Sequence, residues 1–501
     1  MKAGTAVRAA KLERIRKGGA PRVLELCSGC GGMSLGLKAA GFDLVAHIEM
    51  DVTAAASYAL NFDPPSAERR EAWAAARDMT QSDPESLCRD LGLDGPVAEQ
   101  FDILAAGLPC QAFARIGRSK LRSIAGEEDA FKHDPRARLY QHFLQHVEAV
   151  LPVAILIENV PDILNFGGHN VPEEICSTLE GLGYFARYTL LNAAYYGVPQ
   201  MRERLFLVAI DASLGQIPRF PTPTHAAKLP SGYQGTRTVA LRHVPAEGGR
   251  FTQAPVANPG LPPAVTVRAA LSDLPRITEH FSDPGAMRRR STSDVLPYVT
   301  YYGLTDYAAK MRAWPGLPKC HAGTDGHVVR LTPRDFEIFQ RMRVGGDFPH
   351  ASAVANQIFA ERLRLIDPQP AESSEAWQTI RKSCVPPYDP GKFPNKWWKM
   401  DPAMPSRTLT AHMGKDTYSH IHWDSRQKRT VSVREAARLQ SFPDAFRFAG
   451  AMNAAFRQIG NAVPPVLAQA VGQQLKLDLS RARALKHEPS EAAAATKAIA
   501  A

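Results

Sequence analysis

Short apolar runs recur along the first 211 residues, separated by segments with helical periodicity. Five of these runs predict strands, and "ARLYQHFLQHVEAVL" (137–151) between the third and the fourth predicts a helix. Alternating strands and helices are typical of a doubly wound α/β sheet, whose functional residues lie at the carboxyl ends of the strands. The runs are "RVLEL" from residue 22, "FDLVAHIEMD" (42–51), "FDILAAGLPC" (101–110), "VAILIENV" (153–160) and "RLFLVAI" (204–210).

The pattern changes after about residue 211, where proline and glycine become frequent and the alternation is lost. Regular periodicity returns near the end with "QIGNAVPPVLAQAVGQQL" (458–475), which predicts a helix whose first turn contains proline. The change of pattern predicts a second, irregular domain. The expected organisation is a basic flexible tail (1–20), a main domain (21–276) joined by the returning segment (405–480), a second domain (277–404) and a flexible tail (481–501).

Composition narrows the class of protein. The formal net charge of +10 makes a polyanionic partner plausible without establishing it. The seven cysteines are odd in number and irregularly spaced, which disfavours a disulfide framework and favours a reducing cytoplasm. No apolar run reaches the roughly 18 residues of a membrane span, and the start lacks the apolar core of a secretory signal. We therefore expect a cytoplasmic protein without a membrane anchor.

A glycine-rich turn, "SGCGG" (28–32), follows the first predicted strand. Glycines between a strand and a helix let the backbone approach a ligand, and Glu49 at the end of the next strand could accept ribose hydroxyls. Taken alone, the turn could be only a tight turn and Glu49 only a surface acid. Cys27 and Cys30 form a CxxC, but no second pair completes a metal site, so we expect no bound metal.

Three further strand ends carry polar side chains. Cys110 follows a proline at the end of the third predicted strand, and "ENV" places Glu158 at the end of the fourth. Arg202 and Arg204 alternate before the fifth, so they share one face of an extended chain. A buried structural cysteine and a solvated edge strand are the alternative readings. A nucleophile, a carboxylic acid with a raised pKa and two arginines at one sheet edge would favour anion or carbonyl chemistry.

The ordered set of glycine-rich loop, Pro-Cys-Gln, Glu-Asn-Val, Gln-x-Arg-x-Arg, "REAARLQSFPD" and "QIGNAVPP" resembles the DNA (cytosine-5) methyltransferase family. The resemblance covers residues 22–211 and about 404–475. It implies a Rossmann-like sheet that binds S-adenosylmethionine, with a smaller target-recognition domain in the middle of the chain. It also implies that the last helix packs back beside the first helix of the sheet domain.

The resemblance assigns roles to individual residues. Cys110 would be the nucleophile that adds to carbon 6 of cytosine, with a lowered pKa, and Glu158 would hydrogen-bond the ring nitrogen 3 and the exocyclic amine. Arg204 would hold the carbonyl oxygen, and Arg202 would support the site. The implied cofactor-binding residues are Cys27, Gly29, Gly31, Glu49, Met50, Asp78, Met79, Gly107, Pro109, Asn461 and Val463.

The implied partner is double-stranded DNA, and a cognate restriction endonuclease is a possible companion. A monomer is expected, because one site on one flipped base needs no symmetry. Two alternatives stay open. A tRNA methyltransferase of the same scaffold would carry a Cys-Phe-Thr signature, which the chain lacks, and a non-catalytic DNA-binding relative would usually have lost Cys110 or Glu158. Cys27 departs from the family's usual phenylalanine and Glu25 from its usual aspartate.

Overall fold

A six-stranded mixed sheet lies at the centre of the fold. The structure is a computed structural model that describes residues 2–62, 64, 66–109, 135–165, 169–245, 247–300 and 303–481. The strand order is β2-β1-β3-β4-β6-β5, which confirms the predicted α/β class. The strands are β1 (Arg22–Leu26), β2 (Asp43–Ile48), β3 (Ile103–Ala106), β4 (Ala154–Asn159), β5 (Tyr184–Asn192) and β6 (Glu203–Asp211).

Two short strands and eighteen α-helices are the other named elements of the described chain. Strands β7 (Leu296–Pro297) and β8 (Gly323–Thr324) pair antiparallel. The helices are α1 (Lys2–Arg16), α2 (Gly32–Ala39), α3 (Val52–Asn61), α4 (Ala67–Ala74), α5 (Pro84–Asp90), α6 (Val97–Gln100), α7 (Pro135–Val150), α8 (Val171–Gly181), α9 (Ser231–Leu241), α10 (Val267–Leu271), α11 (Pro284–Arg289), α12 (Asp306–Arg312), α13 (Phe336–Arg341), α14 (Phe348–Arg364), α15 (Glu375–Lys382), α16 (Val433–Leu439), α17 (Met452–Asn461) and α18 (Pro465–Ser480).

The first four strands run parallel. Strand β1 pairs with both β2 and β3, and β3 pairs with β4. All residues of β3 and β4 are buried, as expected for parallel strands covered on both faces, which appear in sequence as continuous apolar runs. Their carboxyl ends therefore meet at one edge of the sheet, where the polar strand-end residues are expected.

Strand β6 runs antiparallel to both of its neighbours, β4 and β5. Its start lies beside the end of β4, with Leu205 opposite Asn159 and Phe206 opposite Glu158. The sequence analysis missed β5 altogether, because Arg187, Thr189 and other polar residues interrupt its apolar pattern. The reversal of β6 brings the residues before it to the same sheet edge as the ends of the parallel strands.

The last helix packs against the first helix of the sheet domain, as predicted. Helices α18 and α2 are in extensive contact. A Cβ built on Gly36 of α2 would lie 2.5 Å from the Cβ of Ala468, and one on Gly472 of α18 would lie 2.9 Å from Leu37. Glycine at both positions lets the two helices approach more closely than larger residues would allow. This contact carries the end of the chain back to the sheet.

The predicted flexible tail at residues 1–20 is wrong over α1. Leu12 and Ile15 are buried, since their i, i+3 spacing places both on the helix face that meets the core. Arg14 pairs with Asp102 at the start of β3, and Arg8 lies 3.3 Å from Asp211 at the end of β6. Lys11 Nζ donates to the carbonyls of Val150 (2.7 Å) and Leu151 (3.0 Å). The basic residues thus bind the sheet edge opposite the predicted site.

A second apolar cluster lies in the middle of the chain, around α13, α14 and Trp397. Trp397 is fully buried and stacks on Tyr418 with 4.4 Å between ring centroids. Trp398 is also buried, so both tryptophans are packing residues. Tyr307 and Trp314 belong instead to the core of the sheet domain. The boundaries of a recognition domain at 277 and 404 stay predictions.

The predicted tail at 481–501 lies outside the described residues except for Arg481. Within the described ranges, none of the helices has the length and apolar character that crossing a membrane requires. In the same ranges, no group of three or more histidine, cysteine or acidic side chains is arranged to hold a metal ion.

Candidate active site

A cleft of about 560 Å³ opens at the carboxyl ends of the parallel strands. It brings together residues that lie far apart in sequence, from the turn after β1 to the segment after α17. Of the predicted site residues that the structure describes, Gly31 alone is not among its lining. Cys110 lies outside the described residues. Those that do line it are Cys27, Gly29, Glu49, Met50, Asp78, Met79, Gly107, Pro109, Glu158, Arg202, Arg204, Asn461 and Val463.

The glycine-rich turn forms one wall of the cleft. Gly29 has a φ of 57°, and a Cβ built on it would have no heavy atom within 4 Å, so its backbone faces open space. Gly31 has a different function. It is the N-cap of α2 with a φ of 93°, and a Cβ there would lie 2.5 Å from Phe62. Gly29 thus offers its backbone to a ligand, whereas Gly31 makes room for an aromatic side chain.

Glu49 is held at the end of β2 by two backbone donors. Its Oε2 accepts from the N–H of Gly29 at 2.8 Å, and its Oε1 accepts from the N–H of Asp51 at 2.7 Å. Burial raises the pKa of Glu49, while these two N–H groups oppose that shift. The carboxylate is therefore fixed in position between the glycine-rich turn and the start of α3, where it can accept hydrogen bonds from hydroxyl groups.

The segment after α4 supplies the next part of the wall. The N–H of Arg77 donates to the carbonyl of Glu49 at 2.7 Å, which joins this segment to the end of β2. Asp78 Oδ1 accepts from the backbone and the hydroxyl of Thr80, both at 2.9 Å. Met79 is buried and Met50 is 71% exposed. An acid, a buried thioether and an exposed thioether thus surround a space suited to a flat, partly polar group.

The far end of the chain closes the cleft. Asn461 ends α17, and Val463 follows it before α18 begins. A Cβ built on Gly32 would lie 2.4 Å from the carbonyl oxygen of Val463, so the turn after β1 and this segment are in direct contact. Asn461 and Val463 both line the cleft on this side.

Glu158 and Arg204 meet at the opposite end of the cleft. Arg204 Nε lies 3.0 Å from Glu158 Oε1, and both side chains are nearly buried. Burial raises the pKa of Glu158, and the positive charges of Arg204 and Arg202 oppose the shift without cancelling it. A carboxyl group of raised pKa beside a guanidinium can exchange a proton and bind a polar ring edge at the same time.

Arg202 has a different environment from Arg204. It is fully buried, and its guanidinium donates to the carbonyls of Leu409 (2.6 Å), Gly460 (3.1 Å) and Ala462 (3.1 Å). These carbonyls belong to the returning segment, so Arg202 joins the start of β6 to the wall that carries Asn461. These contacts fix the backbone of the returning segment beside the cleft.

The loop before Cys110 is anchored to the end of β4. Asn159 Nδ2 donates to the carbonyl of Leu108 at 2.8 Å, and both Gly107 and Pro109 line the cleft. A Cβ on Gly107 would lie 3.2 Å from the carbonyl oxygen of Cys27, so this loop also touches the turn after β1. The last described residue before Cys110 is therefore placed at the cleft.

Burial raises the pKa of the Cys27 thiol to about 12, so it is protonated near neutral pH. A protonated thiol is a poor metal ligand and a poor nucleophile. Cys27 lines the cleft at the start of the turn after β1.

Several lining residues are not among the predicted site residues, and Glu25, noted above only as a departure from the family's aspartate, is the most unusual of them. Its carboxyl group is buried within β1, and burial raises its pKa to about 8 against the hydrogen bond from Ser34. The signal was a charged residue inside the apolar run "RVLEL". Asp51 and Arg457 also line the cleft and form an ion pair at 2.9 Å. Nothing in their sequence spacing indicates that they meet.

The cleft fits the nucleoside-bearing cofactor that the resemblance implies. Its volume falls in the range of about 300–1,000 Å³ that is usual for small-molecule sites. The open space over Gly29 would be filled by a Cβ, and a fixed carboxylate, Glu49, lies at its edge. Asp78 offers a second acceptor further along the wall.

Comparison with protein families finds a match to the family described as C-5 cytosine-specific DNA methylase, over residues 21–249 and 348–477. M.OihORF3336P of Oceanobacillus iheyensis, which carries a type II methyltransferase name, is 36% identical over 92% of this chain and 96% of its own length. The type II methyltransferase M.AgeI of Thalassovita gelatinovora is 30% identical over 92% of this chain and 100% of its own length.

Among solved structures, a prophage-encoded protein of E. coli, titled a DNA modification methyltransferase, is similar with a TM-score of 0.55. It is 21% identical in sequence, and the likeness covers 92% of this chain and 100% of that one. At this level of identity the likeness supports the fold alone.

Proposed function

The chain belongs to the C-5 cytosine-specific DNA methylase family and is a DNA cytosine-5 methyltransferase, and we propose that it methylates a flipped-out cytosine within a specific duplex sequence, with S-adenosylmethionine as donor. The observation that supports this most directly is the cleft itself. One end carries a glycine turn and a fixed acid suited to a nucleoside, and the other end carries the Glu158–Arg204 pair. Methyl transfer needs both ends in one cavity.

The donor would bind along the wall formed by the glycine-rich turn, Glu49 and Asp78. Glu49 would accept the ribose hydroxyls, and Asp78 would accept the adenine amine, with Met50 and Met79 against the ring. Asn461 and Val463 would close the pocket from the other side. When bound, S-adenosylmethionine supplies an electrophilic methyl group. The protein's part is to fix that methyl group above the target carbon and to exclude water.

Cys110 is the proposed nucleophile. Carbon 5 of cytosine is a weak nucleophile until a thiolate adds to carbon 6, which turns the ring into an enamine. The new sulfur–carbon bond forms as the 5,6 double bond breaks, and its electron pair becomes available at carbon 5. After that carbon has taken the methyl group, a base removes its proton. The thiolate then leaves, and the double bond is restored.

Glu158 and Arg204 would stabilise the ring during this addition. A protonated Glu158 donates to nitrogen 3 and accepts from the exocyclic amine, so it neutralises the negative charge that the thiolate brings. Arg204 donates to the carbonyl oxygen at carbon 2 while it keeps Glu158 oriented through their contact. Arg202 maintains the backbone around both residues.

The target base is stacked inside a duplex, so the enzyme must flip it into the cleft. The sequence read would be chosen by the central segment 277–404, which is the proposed recognition domain. The type II names of the relatives favour a companion restriction endonuclease that cuts the same sequence when it is unmodified. A monomer in the bacterial cytoplasm is the proposed working form.

A trapping experiment tests the mechanism. The enzyme is incubated with S-adenosylmethionine and mixed-sequence duplex DNA that contains 5-fluorocytosine, since fluorine cannot leave carbon 5 as a proton does. We expect a protein–DNA adduct that survives denaturation and maps to the peptide with Cys110. Cys110→Ser is the control and should give none. If no adduct forms on diverse DNA although methylation proceeds, the covalent mechanism is wrong; transfer to tRNA and not to DNA would overturn the DNA substrate.

A further inference from the structure

An ion pair at the cofactor cleft joins two elements that are far apart in sequence. Arg457, on α17, has its Nη2 2.9 Å from Asp51 Oδ2, at the start of α3. Both residues line the cleft, and both side chains are partly exposed to solvent, 49% and 35%. The pair therefore connects the early wall of the cleft, at the end of β2, to the late wall formed by the returning segment.

Asp51 is also bound to the proposed ribose-binding acid. Its N–H donates to Glu49 Oε1 at 2.7 Å, and its Oδ1 caps α3 by accepting from the N–H groups of Thr53 and Ala54. The other oxygen, Oδ2, is the one that faces Arg457. A chain of contacts thus runs from Arg457 through Asp51 to the carboxylate of Glu49.

The rest of α17 is held independently of Arg457. The hydroxyl of Ser57 on α3 donates to Gln458 Oε1 at 2.6 Å, and Gln458 Nε2 donates to the carbonyl of Ala449 at 3.0 Å. Both of these side chains are buried. The guanidinium of Arg457 is therefore not needed to fold the helix or to dock it against α3.

We propose that Arg457 is a positioning residue for cofactor binding. Through Asp51, it holds the segment between β2 and α3, which carries Glu49, against the returning segment. The inference rests on the proposed function, because it takes the cleft as the S-adenosylmethionine site. Arg457 fixes the two walls at a constant separation, so the bound cofactor leaves only after the pair has opened. Its loss speeds cofactor release more than it slows binding.

The size of the effect follows from the exposure of the pair. An exposed ion pair contributes roughly 0.2–1 kcal/mol, which corresponds to about a 1.5- to 5-fold change in a rate or equilibrium constant. Salt screens such pairs. The wild-type release rate is therefore expected to rise with ionic strength, while that of a variant without the pair stays nearly constant.

The test compares Arg457→Gln, Asp51→Asn and the double variant in the full-length enzyme. Asparagine is a good helix cap, so Asp51→Asn removes the charge but retains the cap. The matched control is Lys17→Gln with Glu13→Gln. That pair is also exposed, 3.3 Å apart, and lies at the end of α1, away from the cleft and the proposed recognition domain. Dissociation of S-adenosylmethionine is followed by stopped flow without DNA, at low and at high salt. The KM values for the cofactor and for DNA are measured separately in steady-state assays.

We expect each single variant to release the cofactor about two- to five-fold faster, with no further increase in the double variant. Each variant should also have a higher KM for the cofactor and an unchanged KM for DNA. The control pair should leave release unchanged. Variants that bind and release the cofactor at the wild-type rate would overturn the inference alone. A folded wild-type enzyme that binds no S-adenosylmethionine would overturn the proposed cofactor, and with it this inference.

Discussion

Arg204 Nε lies 3.0 Å from Glu158 Oε1, and the direction of one strand makes that contact possible. Glu158 stands near the end of β4, while Arg204 stands at the start of β6, which runs antiparallel beside it. If β6 ran parallel to β4, its start would lie at the opposite edge of the sheet. The antiparallel strand therefore places the acid and the guanidinium in the same cleft.

Replacing Glu158 with glutamine tests the proton transfer. An amide can donate to nitrogen 3 and accept from the amine but cannot give up a proton, so kcat should fall by about 100-fold or more. Under the proposed mechanism the protonated acid is the active form in the wild type, so kcat/KM should fall as pH rises through the Glu158 pKa. That fall lies above the range of an ordinary glutamate because burial raises this pKa.

The pH dependence due to Glu158 should vanish in the Gln variant. Glu203→Gln is the matched control, since Glu203 is a neighbouring buried acid, paired with Arg237, that does not line the cleft. It should retain the wild-type pH profile. An unchanged profile in Glu158→Gln would rule out the proton-donor role.

Substitutions of Arg202 and Arg204, at the start of β6, should have different effects on stability and on catalysis. Arg202→Met leaves three buried carbonyls without their donor, so the free energy of unfolding should fall by about 3 kcal/mol. Arg204→Lys retains a positive charge but loses the planar guanidinium, so kcat should fall while stability changes little. Urea unfolding and steady-state kinetics on both variants check this. Equal losses of stability would contradict it.

The two glycines of the turn after β1 should respond differently to alanine. Gly31→Ala forces a Cβ to within 2.5 Å of Phe62 in a left-handed backbone, so the protein should lose about 3 kcal/mol of stability. Gly29→Ala meets no atom and costs only the backbone strain, about 1 kcal/mol, but its Cβ enters the cofactor space. We expect its affinity for S-adenosylmethionine to fall about tenfold. Thermal unfolding and calorimetric titration distinguish the two.

Lys11 should make stability depend on pH. Burial lowers its pKa from 10.5 to about 7, so between these values the unfolded chain binds a proton that the folded protein does not. The free energy of unfolding should therefore gain a contribution that rises with pH across this window, by at most about 1.4 kcal/mol per pH unit. Lys11→Met should lack this contribution. Urea unfolding gives the free energy of unfolding of both proteins between pH 7 and 10. The same dependence of that free energy on pH in the two proteins would refute the prediction.

The sequence indicates the strand ends more readily than the contacts between them. Glu158 ends an apolar run and Arg204 begins one, so both were expected at the site, but the orientation of β6 has no local signature. Gly29 and Gly31 lie in the same turn, and the sequence does not distinguish their functions. Only the position of Phe62 beside Gly31 separates them. Glu25 was noted as a departure from the family pattern but was not assigned to the site, because it lies inside an apolar strand. Helix α1 was missed because its apolar face is only a few residues wide.

The two sides of the cleft are synthesised at different times during translation. Its walls up to Pro109 are synthesised before Asn461 and Val463, which lie about 350 residues later in the chain. At roughly 5–20 residues per second, a nascent chain needs tens of seconds to add them. A chain that stops before α17 lacks Asn461 and Val463, so under the proposed function it would be unable to close its donor site.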